Sequence, residues 1–130
     1  MEKFIWNKTF SVGVHQLDQQ HQQLFAIINK LASNGDNAES PDTIGEILTD
    51  MQKYAGEHFE QEERMLEQAR YGQLEDQKKQ HRYFIKKTDE FAAAIKNGEE
   101  CQTETIYDFL GMWLQKHIAI WDIKYKETLT

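Results

Sequence analysis

The sequence of 130 residues contains only one cysteine, Cys101, and only one proline, Pro41. A single cysteine excludes a framework of internal disulfides and suits a reducing compartment. The scarcity of proline leaves long stretches in which a helix is not interrupted. The sequence also lacks an apolar run of membrane-spanning length, and no apolar signal-peptide segment follows Met1. We therefore expect a soluble, cytoplasmic and mainly helical protein.

The sequence also has few positive charges: it contains 15 lysines and arginines and 22 acidic residues, which gives a formal net charge of -7. An acidic surface repels the phosphates of nucleic acids and of anionic lipids, so we expect neither nucleic acid nor membrane as a partner. The length suits one compact domain with a substantial core and is too short for two. We expect residues 1–130 to form a single domain.

Apolar residues recur at helical spacing in four segments separated by turn-forming residues. The segments begin near Leu17, Ser40, Leu74 and Thr103, and they end near Ser33, Ala69, Asn97 and Lys124. Residues 1–16 are rich in aromatic and β-branched side chains but hold no helical period, which indicates an extended arm. Long helices joined by short turns favour antiparallel neighbours. The sequence thus predicts an all-α, up-down-up-down antiparallel four-helix bundle with an extended N-terminal arm.

Ionisable residues interrupt the apolar face of the second predicted helix. His58 and Glu62 are four residues apart, so they project from one face of that helix. Because a carboxylate is costly to bury without a partner, we expect a cation to meet Glu62 inside the bundle.

Every predicted helix carries one histidine on its apolar face, and two of them also carry a carboxylate. These residues are His21, His58, His81 and His117, with Glu62 and Asp122. One such histidine usually only hydrogen-bonds a neighbour, but six residues from four helices need a common explanation. Imidazole and carboxylate groups that converge in a bundle are typical ligands of a first-row transition metal. Six ligands exceed the needs of one tetrahedral zinc, so two metals bridged by two carboxylates fit better.

The spacing of His117 and Asp122 conflicts with an ideal helix. Residues five apart point in directions about 140° apart on such a helix. Both can face the interior if that face is broad, or if the helix contains a local π-type bulge. By geometry, Asp122 is the weakest of the six candidate ligands.

The sequence resembles the bacterial hemerythrins along nearly its whole length. The residues that carry the resemblance are Phe4-Ile5-Trp6, Val12-Gly13-Val14, Asp18-Gln19-Gln20-His21 with Leu24-Phe25, His58-Phe59 with Glu62-Glu63, His81, and Trp113-Leu114 with His117-Ile118 and Asp122. The resemblance implies a four-helix bundle that holds two iron ions joined by an oxo or hydroxo bridge. It also implies that Glu62 and Asp122 bridge the irons.

The resemblance divides the histidines between the two irons. It implies that His21 and His58 hold the iron that binds dioxygen, and that His81 and His117 hold the other. The implied function is reversible binding of dioxygen, as a carrier, store or sensor rather than an enzyme. We expect a monomer or a weak homo-oligomer.

One position departs from the family pattern. The family's third helix reads His-x-x-x-His, whereas this sequence reads Gln77-Lys78-Lys79-Gln80-His81. Gln77 can ligate weakly, leave a position to water, cost the protein one metal, or simply hydrogen-bond a neighbour. An under-coordinated iron supports a second hypothesis, an enzyme that reduces peroxide, dioxygen or nitric oxide. A third hypothesis is a bundle in which a metal is only structural or is absent.

The sequence says less about four further residues, which lie near the candidate ligands or before the first helix. We expect His15 to precede the first helix as an exposed bystander. Glu63 should point away from the site and be solvated or paired with a lysine. Leu114 and Ile118 fit either an apolar wall beside the site or plain core packing.

Overall fold

The fold is described from a computed structural model, which describes residues 2–32, 40–100 and 102–130. Its helices are α1 (His15–Asn29), α2 (Pro41–Gln68), α3 (Leu74–Lys96), α4 (Thr103–Lys116) and α5 (Lys126–Leu129). Short 3₁₀ segments occur at Lys8–Phe10, Lys30–Ala32 and Asp122–Tyr125, and a π-helical segment occurs at His117–Trp121. Contacts join the long helices in a ring, α1 to α2, α2 to α3, α3 to α4 and α4 to α1. The predicted four-helix bundle is confirmed, and the described ranges contain no strand.

Capping residues explain why α2 begins and α3 ends close to the positions that the sequence predicts. The Ser40 hydroxyl accepts a hydrogen bond from the Thr43 backbone N–H at 3.1 Å, and Pro41 opens the helix. Gly98 adopts a φ of 74° directly after α3, a left-handed conformation that glycine adopts without strain. The predicted end of the first helical segment near Ser33, and Cys101, lie outside the described residues.

The N-terminal arm is anchored to α1 and α4. The Phe4 backbone N–H donates to Asn29 Oδ1 at 2.9 Å, and Asn29 Nδ2 donates to the Phe4 carbonyl oxygen at 2.8 Å. The Phe4 ring lies 5.0 Å from the Tyr107 ring, between centroids, and covers Gly111. A Cβ at Gly111 would lie 1.8 Å from that ring, so the arm needs a glycine there. His15 is exposed, as expected, but it begins α1 instead of preceding it.

The interior of the bundle has apolar ends and a polar layer between them. A large apolar cluster includes Leu24, Phe59 and Leu114, and a smaller one consists of Val12, Leu17, Leu66 and Tyr125. Between them lie seven buried polar residues, each at most 2% exposed: His21, His58, Glu62, Gln77, His81, His117 and Asp122. No helix within the described residues is both long and apolar enough to cross a membrane.

Candidate metal centre

A change of helix type brings His117 and Asp122 to the same side. The segment His117–Trp121 is π-helical, and the Asp122 backbone N–H donates to the His117 carbonyl oxygen, five residues back. This wider turn removes most of the angular offset that five residues have on an α-helix. Both side chains are buried, and Asp122 Oδ1 lies 3.1 Å from His117 Nε2. Of the two explanations for this spacing, the local bulge is the one observed.

Glu62 divides its two oxygens between two pairs of histidines. Its Oε1 lies 3.0 Å from Nε2 of His81. Its Oε2 lies 3.3 Å from Nε2 of His58 and 3.4 Å from Nε2 of His21. The carboxylate therefore stands between one pair on α1 and α2 and another on α3 and the π segment.

Asp122 is divided in the same way. Its Oδ1 faces His117, and its Oδ2 lies 3.3 Å from Nε2 of His21. Two sets of donor atoms result, and within each set the atoms lie within 4.8 Å of one another. One set contains His21, His58 and Glu62, and the other contains His81, His117, Glu62 and Asp122.

The outer nitrogens of two histidines contact side-chain amides. His58 Nδ1 lies 2.6 Å from Gln20 Oε1, and Gln20 Nε2 in turn donates to Gln61 Oε1 at 2.7 Å. His117 Nδ1 lies 3.1 Å from Gln80 Oε1. An amide oxygen only accepts hydrogen bonds, so Nδ1 of each imidazole carries the proton.

The outer nitrogen of His81 contacts a carboxylate. His81 Nδ1 lies 2.7 Å from Oε2 of Glu63, whose side chain is 24% exposed. The expectation that Glu63 is solvated or paired with a lysine is therefore wrong. A neighbouring carboxylate orients an imidazole and makes it a stronger base, so Glu63 supports His81 from outside.

These outer contacts determine whether the inner nitrogen, Nε2, of His58, His81 and His117 carries a proton or a lone pair. With the proton on Nδ1, a neutral imidazole has a lone pair on Nε2. His81 Nε2 and His117 Nε2 lie only 3.2 Å apart, and both also face carboxylate oxygens. Electron pairs that converge at such distances repel unless a cation lies among them.

Several buried atoms of the polar layer have no hydrogen-bond partner among the described residues. They are Nδ1 and Nε2 of His21, Oε1 of Glu62, Oε1 of Gln77 and Oδ2 of Asp122. His21 Nε2 is close to two carboxylates, yet the angles are not those of a hydrogen bond. Atoms bound at right angles to one ion at about 2.1 Å lie about 3 Å apart, close to the spacings found here. The donor set therefore fits transition-metal ions.

Protons hold this cluster together when metal is absent. Burial lowers the pKa of His21, but Asp122 and Glu62 outweigh burial and raise that pKa to about 9. The pKa of His81 is likewise about 9, because Glu62 and Glu63 outweigh its burial. Burial lowers the pKa of His58. Despite the opposing effect of burial, facing histidines hold the pKa of Glu62 well below its usual range and that of Asp122 at about 2.

The structure adds Tyr125 to the residues that the sequence predicted. Its hydroxyl donates to Glu62 Oε2 at 2.8 Å, and its side chain is fully buried. The sequence interpretation did not identify Tyr125, which directly follows Lys124 at the predicted end of the fourth helix. Its position in the sequence could have indicated this role, because Tyr125 lies three residues after Asp122, which is close to one helical turn. Leu114 and Ile118 are buried core residues, 1% and 0% exposed.

Comparisons with known proteins agree with this geometry. The sequence model of the family described as "Hemerythrin HHE cation binding domain" matches residues 12–129. A bacteriohemerythrin of Clostridium acetobutylicum is 32% identical over 126 residues, covering 94% of this chain and 98% of the relative. A myohemerythrin of Riftia pachyptila is also 32% identical over 126 residues, covering 97% and 93%.

A solved structure supports the same assignment. The crystal structure of a wild-type hemerythrin superposes with a TM-score of 0.85 at 27% identity and covers 97% of both chains. The likeness thus extends over the bundle, the arm and the segment that carries Asp122. The chain belongs to the hemerythrin family, and it is a di-iron, dioxygen-binding protein.

Proposed function

We propose that His21, His58, Glu62, His81, His117 and Asp122 hold two iron ions, and that this centre binds dioxygen reversibly as a carrier, store or sensor. One observation carries the proposal most strongly. Each of the two carboxylates presents one oxygen to His21 and the other to a histidine of the opposite pair. A carboxylate that serves two sets of imidazoles is arranged to bridge two cations.

The two halves of the centre offer different numbers of donors. We propose that His21 and His58 hold the iron that binds dioxygen, because among the described residues only Glu62 joins them in a set of converging donor atoms. Near His81 and His117 the Gln77 amide is also buried. The half with fewer protein donors is the one with an open position for a ligand.

A bound pair of irons would supply the electrons that reversible dioxygen binding requires. The chain's own residues prepare the space around it. Tyr125 donates to Glu62 and holds that carboxylate in one orientation. Phe59, stacked on His81 with ring centroids 3.9 Å apart, belongs to the buried apolar cluster beside the centre. Such surroundings exclude water, which would otherwise promote irreversible oxidation of the irons.

The proposal extends to location and partners. The acidic net charge of -7 supports a protein that avoids nucleic acid and anionic membranes. A single cysteine supports a cytoplasmic location. We propose that the chain works there as a monomer or weak homo-oligomer.

Metal analysis and an oxygenation cycle test the proposal. Purified protein should contain close to two irons per chain, and the reduced protein should gain a visible absorption band in air that disappears under vacuum. Glu62→Gln should lose most of its iron, because it removes charge from a group placed between two cations. The control is Glu60→Gln on the same helix, whose side chain is 73% exposed. Equal iron retention in the two variants would contradict the ligand assignment.

A further inference from the structure

Gln77 is a fully buried amide on the interior face of α3. Its side chain is 0% exposed, and it lies one helical turn before His81. An uncharged polar group at that depth needs partners for both its amide hydrogens and its oxygen.

Only the amide nitrogen of Gln77 has such a partner among the described residues. Nε2 donates to Asp122 Oδ1 at 3.3 Å, and this oxygen also faces His117. Turning the amide over would place its oxygen against the carboxylate, and two acceptors repel each other. Asp122 therefore fixes which end of the amide it receives. Oε1 is left buried and without a hydrogen-bond partner.

The Gln77 amide lies beside the half of the centre that contains His81 and His117, because its Nε2 contacts the Asp122 oxygen that faces His117. In this half the donor atoms of His81, His117, Glu62 and Asp122 already lie within 4.8 Å of one another. A carbonyl oxygen is an accepted ligand of divalent and trivalent metals, though a weaker one for iron than imidazole. A cation in this half would give Oε1 the partner that it lacks.

We propose that Gln77 Oε1 is a ligand of the metal held by His81 and His117, with Asp122 orienting the amide. The inference rests on the proposed function, since it needs a metal in that half. An amide ligand makes this metal the more labile of the pair. It also means that Gln77 contributes little to the stability of the metal-free protein, where its oxygen has no partner.

Gln77→Leu and Gln77→His test this assignment. The control is Gln73→Leu, at the exposed residue before α3, whose side chain makes no capping hydrogen bond. Each protein is loaded with iron and challenged with a chelator while iron per chain is followed. The unfolding temperature is measured with and without metal.

We expect wild type and Gln73→Leu to release iron at the same rates. Gln77→Leu should release one of its two irons about ten times faster or more, the range seen when groups supporting a metal site are removed. Its metal-dependent gain in unfolding temperature should shrink, while the metal-free form unfolds at or above the wild-type temperature. Gln77→His should release its more labile iron more slowly than wild type.

Wild-type release rates in both Gln77 variants would overturn the assignment. So would an equal fall in unfolding temperature with and without metal in Gln77→Leu, because that result would mark a structural amide. If Gln77→Leu does not fold, Gln77→His decides alone, and an unchanged release rate counts against the proposal. A wild-type protein that holds fewer than two metals would instead refute the proposed function itself.

Discussion

The two halves of the centre are supported by different groups outside the imidazoles. Behind His58 lie two neutral amides, Gln20 and Gln61, and Nδ1 of His21 has no hydrogen-bond partner within the described chain. Behind His81 lies the carboxylate of Glu63. A carboxylate strengthens the imidazole that it contacts, whereas an amide only orients it.

This difference suggests how the half with His81 and His117 tolerates the Gln77 amide oxygen, which is a weaker donor than imidazole. The half that contains Gln77 also contains His81, whose outer nitrogen faces the carboxylate of Glu63. The charge on Glu63 can offset the weaker donation expected of an amide oxygen. The other half has a neutral surrounding and fewer donors, which suits a metal that exchanges a ligand. The proposed asymmetry thus separates a half filled by protein donors from a half with an open position for a ligand.

The largest effect should follow the loss of a carboxylate that faces histidines of both halves. Asp122→Asn removes a negative charge that faces both His21 and His117. We expect most iron to be lost from both halves, with a lower unfolding temperature in iron-containing buffer, because bound metal stabilises the folded state. Iron content and thermal unfolding measure this, with exposed Asp108→Asn on α4 as control. Retention of one full iron would show that Asp122 serves only one half.

A smaller effect should distinguish the two outer supports. Glu63→Gln keeps a hydrogen-bond acceptor for His81 but removes its charge, and we expect metal affinity in that half to fall about 10-fold. Gln20→Glu makes the opposite change behind His58 and should slow metal release from the other half. Competition with a chelator measures both. If neither substitution changes the release rates, the outer charge does not distinguish the halves.

The pH dependence of the metal-free protein provides a third comparison. The pKa values of His21 and His81 are raised from 6.5 to about 9. The folded state thus binds these protons more tightly than the unfolded state, and the stabilisation is complete below pH 6.5 and lost as the pH rises through 9.

We therefore expect the unfolding temperature of metal-free protein to fall between pH 6.5 and 9. Glu63→Gln should reduce this fall, because Glu63 helps to raise the pKa of His81. Thermal unfolding at a series of pH values measures both. If the stability of the metal-free protein is constant across this range, the conclusion that His21 and His81 are protonated in the folded state is wrong.

The smallest effect on the centre should come from the arm. Gly111→Ala places a methyl group where the Phe4 ring now lies, so the arm must move. We expect a loss of about 1–3 kcal/mol in the free energy of unfolding. Iron content should remain at the wild-type level. Denaturant unfolding and metal analysis check the two parts, and a loss of iron would show that the arm also supports the centre.

The sequence predicted the bundle because its apolar spacing and helix ends are strong local signals. The capping residues at Ser40 and the glycine at Gly98 correspond to boundaries that the structure contains. The convergence of the six candidate ligands was also predictable, since each occupies an otherwise apolar helix face. The structure brings all six together, and the assignment of these six residues as the iron ligands stays a prediction.

Other features depend on tertiary contacts that sequence spacing does not reveal. The π segment was one of two alternatives, because the pattern alone does not distinguish a broad face from a wider turn. Glu63 was placed on another face because one residue turns a helix by about 100°. Its side chain nevertheless reaches His81 across the interface of α2 and α3. Tyr125 was missed because its partner, Glu62, is 63 residues away in the chain.

The most direct test of the central claim is the Mössbauer spectrum of protein loaded with iron-57. An oxidised centre built from two unlike halves and bridged by Glu62 and Asp122 should contain two irons per chain. Its low-temperature spectrum should contain two quadrupole doublets of equal area, without the magnetic splitting of isolated ferric ions, because bridged irons couple their spins. One iron per chain, or two irons with the spectrum of isolated ferric ions, would contradict the bridged centre.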